Sequence, residues 1–307
     1  MSVLEVEHLS VSFTRYTGGL QQQKVEVIHD LQLRIDEGQI VAVVGSSGSG
    51  KSLLAHAIMG ILPGNAVMTG SMRYKGEPLN AARQAALRGH EISLVPQSVN
   101  YLDPLMSVGA QVRASVKHKD PLTEQRKVFE RYQLAQGVER QYPFQLSGGM
   151  ARRVLLSTAT ISGARLIVAD EPTPGLHHEA AQETLRQLRE LADEGCSILM
   201  ITHDIESALH IADKVAVFYA GTIVEVALTA DFAGDGQRLR HPYSQALWQA
   251  LPQNEFKPIP GVQPLPGELP AGCLFAPRCA VAAADCCDKR PDMRELRGGT
   301  VRCFHAS

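Results

Sequence analysis

The sequence has no apolar run that approaches the ~20 residues a membrane-spanning helix requires. Buried-looking apolar stretches such as Ile40 to Val44 and Ile198 to Ile201 have the length of strands. A large excess of charge of one sign is also missing: the formal net charge is −2, so no global basic field exists to hold nucleic acid, and no nucleic-acid partner is expected. The opening residues, MSVLEVEHLSVSF, carry neither a basic start nor an apolar core of a secretory signal. A cytoplasmic chain is therefore expected, with any membrane role exercised through a partner. Sustained heptads, internal repeats and low-complexity tracts are absent. Cysteine is nearly missing before residue 273, where Cys196 stands alone; five of the six cysteines (Cys273, Cys279, Cys286, Cys287, Cys303) crowd the end of the chain. In a reducing compartment such a cluster points to metal ligation more than to disulfides.

What is present is an ordinary globular balance, 44% hydrophobic and 20% charged, which argues for a packed core. Alternating residues (Val3, Glu5, Val11, Phe13, then Leu31, Leu33, Ile35) predict antiparallel strands with one solvated face. Ile40 to Val44 predicts a strand buried on both faces, and Leu53 to Leu62 a helix stopped by Pro63-Gly64. Residues from about 97 to 160 are poor in strand formers, with helical composition over Glu124 to Leu134 and Met150 to Ile161, and read as a helical insertion. The core resumes with strand Leu166 to Ala169, helix Glu179 to Asp193 with Leu185, Leu188 and Leu191 on one face, strand Ser197 to Thr202, a helix near Ser207 to Ala212, and strand Lys214 to Tyr219. Strands alternating with helices imply an α/β fold with a mainly parallel sheet. After about Phe232 the pattern breaks, and Pro252 to Pro277 reads as a linker or an extended wrapping segment.

Three segments carry chemistry. Gly45-Ser46-Ser47-Gly48-Ser49-Gly50-Lys51-Ser52 lies between a predicted strand and a predicted helix, the context of a phosphate-binding loop. Its glycines allow backbone N–H groups to surround anionic oxygens at the positive end of a helix. Lys51 suits the β- and γ-phosphates, and the Ser52 hydroxyl suits Mg²⁺. By chance the spaced Gly-Gly-Lys-Ser/Thr pattern arises in roughly one chain of this length in a hundred; the correct flanks reduce that further. The run Leu166 to Ala169 then delivers Asp170 and Glu171 to the carboxyl end of a buried strand, where open α/β sheets bind ligands. Asp170 suits the Mg²⁺ shell, and Glu171 can orient and deprotonate water. Alone, this pair reads equally well as a solvated acidic turn. Third, Leu146-Ser147-Gly148-Gly149-Met150 sets a serine and two glycines at a helix start, a second anion site.

Together the three segments closely resemble the motifs of ABC ATPases, P-loop NTPases with a RecA-like core, an N-terminal antiparallel β-subdomain and a helical signature subdomain. The resemblance implies head-to-tail pairing of two ATPase subunits, with Ser147, Gly148 and Gly149 clamping the γ-phosphate held by the other subunit's loop. It implies ATP and Mg²⁺ as ligands of Gly45, Ser46, Gly48, Ser49, Gly50, Lys51, Ser52 and Asp170. Gln97, in Val95-Pro96-Gln97, matches the glutamine that senses the γ-phosphate and Mg²⁺, and His203, in Ile201-Thr202-His203-Asp204, the switch histidine. Phe13 and Tyr16 both match the aromatic that stacks on adenine. Two positions depart from the family pattern: His177 stands where an aspartate is usual, and Arg152 where a glutamine usually follows the signature.

The tail, His241-Pro242-Tyr243-Ser244, Gly272-Cys273 to Arg278-Cys279 and Cys303-Phe304-His305, resembles that of oligopeptide, dipeptide and nickel importer ATPases. This implies two unlike ATPase subunits beneath two integral-membrane permeases, on the cytoplasmic side of the inner membrane, with an extracytoplasmic solute-binding protein. The solute expected is a peptide, nickel or a metal–chelator complex. Family spacing implies Cys273, Cys279, Cys286 and Cys303 as ligands of an iron–sulfur cluster, with a tetrahedral zinc or thiols that only pack as alternatives. The expected organisation is a nucleotide-binding domain over residues 1–231 and an irregular, cysteine-rich extension over 232–307. Soluble ABC ATPases of translation or DNA repair fit less well, because one set of motifs and no coiled coil is present. A regulatory module with a decayed ATP site is opposed by the intact Lys51, Ser52, Asp170, Glu171 and His203.

Overall fold

Alternation at the N-terminus yields two long antiparallel strands, β1 (Ser2–Thr17) and β2 (Gln21–Asp36). Leu4, Val6, Leu33 and Ile35 are buried while Glu7 and Arg34 are exposed, as a half-solvated sheet requires. The computed structural model describes residues 1–17, 21–116 and 120–307, with the backbone alone at Tyr16 and Thr17. Next comes β3 (Ile40–Val44), buried at every position, then the glycine loop and α1 (Lys51–Met59). The helix stops short of the Leu62 expected, because Gly60 caps it ahead of Pro63. The strands β4 (Ala66–Tyr74) and β5 (Glu77–Pro78) complete a four-stranded antiparallel sheet in the order β2-β1-β4-β5.

The chain then enters α2 (Ala81–Leu87) and β6 (Ile92–Val95), followed by the helical insertion, which holds α3 (Val108–Ala114), α4 (Pro121–Arg131) and α5 (Gly148–Thr160). α4 begins before the Glu124 expected: Asp120 caps it, accepting from the Thr123 N–H at 2.8 Å, and proline occupies its first turn. The core continues through β7 (Leu166–Asp170), α6 (His178–Asp193), β8 (Ser197–Thr202), α7 (Ile205–Ile211), β9 (Lys214–Tyr219) and β10 (Thr222–Leu228). In the second sheet β9, β3, β8, β7 and β6 run parallel in that order. Ile40, Ala42 and Val44 point into one core with α5, α6 and α7; Val41 and Val43 point into another with α1 and the antiparallel sheet. Burial on both faces explains the unbroken apolar runs.

The tail is less irregular than the sequence suggests. It forms α8 (Pro242–Gln249), α9 (Asp285–Asp288) and a hairpin, β11 (Arg294–Leu296) with β12 (Gly299–Val301). β12 pairs with β10, so the tail extends the same eight-stranded sheet. Strands of three residues carry too little periodicity to be seen in a sequence. Arg240 fixes this hairpin. Buried with the wholly buried Glu225, it donates to Glu225 Oε1 at 3.2 Å, to Asp231 Oδ2 at 2.9 Å and to the Leu296 and Arg297 carbonyls. Arg302 adds a second tie, donating to Asp30 Oδ2 and to the Asp30 carbonyl, each at 2.8 Å.

Removing one member of such a buried ionic cluster leaves the others uncompensated. Arg240→Ala should therefore lower stability by about 3–5 kcal/mol, seen as an earlier midpoint in urea unfolding. Two loop glycines should behave differently. A Cβ on Gly45 would lie 2.4 Å from the Phe218 carbonyl oxygen of β9, whereas Gly48, at φ 74°, has open space around it. Gly48→Ala should cost about 1–2 kcal/mol, the left-handed penalty alone. Gly45→Ala should lower the melting temperature by clearly more, because backbone must move.

Candidate active site

The strand order gathers the chemistry. β8 lies between β3 and β7, so the carboxyl ends of all three strands open onto one edge, with the glycine loop after β3, Asp170-Glu171 at the end of β7 and Thr202-His203 at the end of β8. Lys51 is buried, and its ammonium donates to the carbonyls of Gly45 at 2.9 Å and Ser46 at 2.8 Å. Ser52 Oγ donates to Asp170 Oδ1 at 3.2 Å. Glu171 is buried with a left-handed φ of 47°, a conformation that a non-glycine residue keeps only where its surroundings impose it. Those surroundings are visible. Its N–H donates to the Ile201 carbonyl at 2.8 Å, and its carboxylate meets His203 Nδ1 at 2.9 and 3.0 Å and Thr202 Oγ1 at 3.4 Å.

Burial sets the electrostatics. It pushes the Asp170 carboxyl above its usual range, helped by neighbouring Glu171 and opposed by the Ser52 hydrogen bond. Burial also pulls the Lys51 ammonium down, while Glu171 and Asp170 act the other way. Two carboxylates beside a serine hydroxyl form a hard oxygen donor set, which suits Mg²⁺. The loop glycines and Lys51 suit phosphate oxygens.

The remaining expected residues lie around this centre. Ser46 Oγ donates to Gln263 Oε1 at 2.9 Å, a contact from the tail that the sequence could not announce across so long a separation. Gln97 is exposed after β6; its carbonyl accepts from Arg152. Ser147 caps α5, accepting from the Met150 N–H at 3.2 Å, and Gly148 and Gly149 open its first turn. Among the described residues, no hydrogen bond joins Ser147, Gly148 or Gly149 to the glycine loop; Ser147 and Gly148 face solvent. Phe13 is half-buried and packs on the core beneath the antiparallel sheet. The Tyr16 side chain lies outside the described residues. His177 is exposed and caps α6, its Nδ1 accepting from the Ala180 N–H at 3.4 Å.

Cys273, Cys279, Cys286 and Cys303 line one small cavity in the tail, together with Phe275 and His305. The Cys273 N–H donates to the Cys286 carbonyl at 2.8 Å, which joins the two segments. Burial pushes the thiols of Cys273, Cys279 and Cys303 upward, and the nearby cysteines push the same way. Cys287 is exposed and outside this cavity lining. Among the described residues, the set of three or more potential ligand atoms within 4.8 Å of one another is Asp285, Cys286 and His305. No three of the four thiols are that close.

Among the described residues no helix is long and apolar enough to cross a membrane. Residues 28–174 match the ABC transporter family, and residues 224–286 match the C-terminal region of oligopeptide/dipeptide transporters. The oligopeptide transport ATP-binding protein AppD of Bacillus subtilis is 32% identical over 99% of this chain and 96% of its own. The probable D,D-dipeptide transport ATP-binding protein DdpD of Escherichia coli is 34% identical over 98% and 95%. The dimeric bacterial ABC transporter cassette MJ0796 superposes with a TM-score of 0.64 at 22% identity, covering 74% of this chain and 98% of that one, which shows the shared fold. With this geometry and these full-length relatives, the chain belongs to the ATP-binding subunits of ABC transporters of the oligopeptide/dipeptide type, ATPases that couple hydrolysis to transport.

Proposed function

We propose that this subunit powers uptake of oligopeptides or dipeptides through separate permease subunits, and that it hydrolyses ATP when its glycine loop closes against the signature of a second, unlike ATPase subunit. The relatives named for oligopeptide and dipeptide transport support the solute class. The observation that carries the catalytic reading is Glu171, buried and held by both His203 and Thr202 beside the Ser52–Asp170 pair. In this reading the loop N–H groups and Lys51 bind the β- and γ-phosphates, Lys51 turning from the Gly45 and Ser46 carbonyls to phosphate oxygens. Ser52, Asp170 and Gln97 would hold Mg²⁺, which would neutralise charge on the phosphates. Glu171 accepts a proton from the attacking water, oriented by His203. Ser147 and Gly148, turned to solvent at the start of α5, and the half-buried Gly149 beside them serve the partner's nucleotide. Phe13 or Tyr16 stacks on adenine. The proposed setting is the cytoplasmic face of the inner membrane, with a solute-binding protein outside.

The cysteine cavity is proposed to hold an iron–sulfur cluster. Tetrahedral zinc draws its four sulfurs to about 3.8 Å apart. No three of the four thiols here lie within 4.8 Å of one another, which favours a larger cluster over zinc. The group would act as a structural or redox centre, and residues 232–307 would form its housing beside a nucleotide-binding unit of 1–231.

Glu171→Gln should still bind ATP but slow hydrolysis at this site by about 100-fold or more, read by single-turnover assays on the reconstituted transporter. Turnover near wild type would remove Glu171 from its role. Uptake assays with labelled peptides, nickel and a nickel–chelator complex separate the solute classes; only peptide uptake fits the proposal. Anaerobically purified protein should carry iron and sulfide in stoichiometric amount with visible absorbance, and Cys279→Ser should lose both. Zinc alone, or no metal, would overturn the cluster.

A further inference from the structure

Arg152 lies one turn into α5, and it is 3% exposed. Its Nη1 donates to the Pro96 carbonyl at 2.7 Å and its Nη2 to the Gln97 carbonyl at 2.8 Å. Nε has no hydrogen-bond partner, and among the described residues no carboxylate pairs with the guanidinium. A buried cation usually meets an acid; this one meets two main-chain carbonyls from consecutive residues. An apolar side chain would fill the same volume without the desolvation cost. What the guanidinium adds is geometry: a planar fork can hold two carbonyls at a fixed spacing, which neither lysine nor an apolar residue can do.

The two ends of this clamp matter. One is the start of α5, whose capping residue is Ser147. The other is the turn where β6 ends and Gln97 begins the path into the helical insertion. We propose that Arg152 is a positioning residue that locks the Gln97 backbone to the first turns of the signature helix, so that the glutamine and the signature move as one body during closure. Gln97 is exposed and its side chain has little else to fix its direction, so the carbonyl clamp sets where the amide can reach. The proposal rests on Gln97 acting at the nucleotide.

The test uses the reconstituted transporter and four variants: Arg152→Met, Arg152→Gln, Gln97→Ala and the double change Arg152→Met/Gln97→Ala. Arg152→Met should lower kcat for ATP hydrolysis on the order of tenfold to a hundredfold, the size expected for a misplaced positioning group. KM for ATP should change by less than about threefold, because the glycine loop is untouched. Arg152→Gln keeps an amide donor but loses the fork, and should recover only part of the loss. The double variant should be no slower than Gln97→Ala alone, since both act through one group. A merely structural role predicts multiplicative losses and no recovery by glutamine. Full additivity, or Arg152→Met at the wild-type rate while Gln97→Ala is slow, overturns the clamp. Gln97→Ala at the wild-type rate instead overturns the role of Gln97, and the clamp's function with it. Should Arg152→Met fail to fold, Arg152→Gln against the same Gln97→Ala background decides: a rate loss that persists without Gln97 overturns the proposal, and one that vanishes supports it.

Discussion

Asp170 is buried beside a second carboxylate at the end of a parallel strand, where burial and the neighbouring acid both disfavour its charged form. The local solution is partial. Ser52 donates to it, and Lys51 lies near enough to feel both acids while bonded to its own loop. Such a centre is built to receive a polyanion together with a cation. Around it, rigidity comes from the sheet: β3, β7 and β8 are buried on both faces, so the groups at their ends are held by backbone packed at crystal-like density.

A second consequence follows from where the signature sits. Ser147 and Gly148 face solvent, with no hydrogen bond to the loop of the same chain. In the proposed function the loop and the signature serve different nucleotides, and the helical insertion has to be positioned relative to the core. Arg152 is the contact that spans this junction at the Gln97 turn. The tail contributes as well. Arg278 donates to the Pro260 carbonyl at 2.7 Å and to the Ile259 carbonyl at 3.3 Å, and Gln263 reaches Ser46. The extended segment rich in proline and glycine is held against the phosphate loop, and the residue that pins it precedes Cys279.

The sequence by itself determined the chemistry of the site's segments. Glycine spacing, an apolar run ending in two acids and a serine-glycine helix start are local patterns, and each fold element they need is encoded within a few residues. It also determined the α/β class and the parallel sheet, because β-branched runs such as Ile40 to Val44 are legible wherever both faces are buried. Helix limits shifted where caps decided them, at Gly60 and Asp120. Only the tertiary structure decided which ends meet: that β8 sits between β3 and β7 and so brings His203 onto Glu171, that the tail extends the sheet through β12, and that Arg152 lands on two carbonyls. Those contacts join residues dozens to hundreds of positions apart. Periodicity and spacing report on neighbours along the chain, whereas strand order and buried charge are settled by packing, which no local pattern contains.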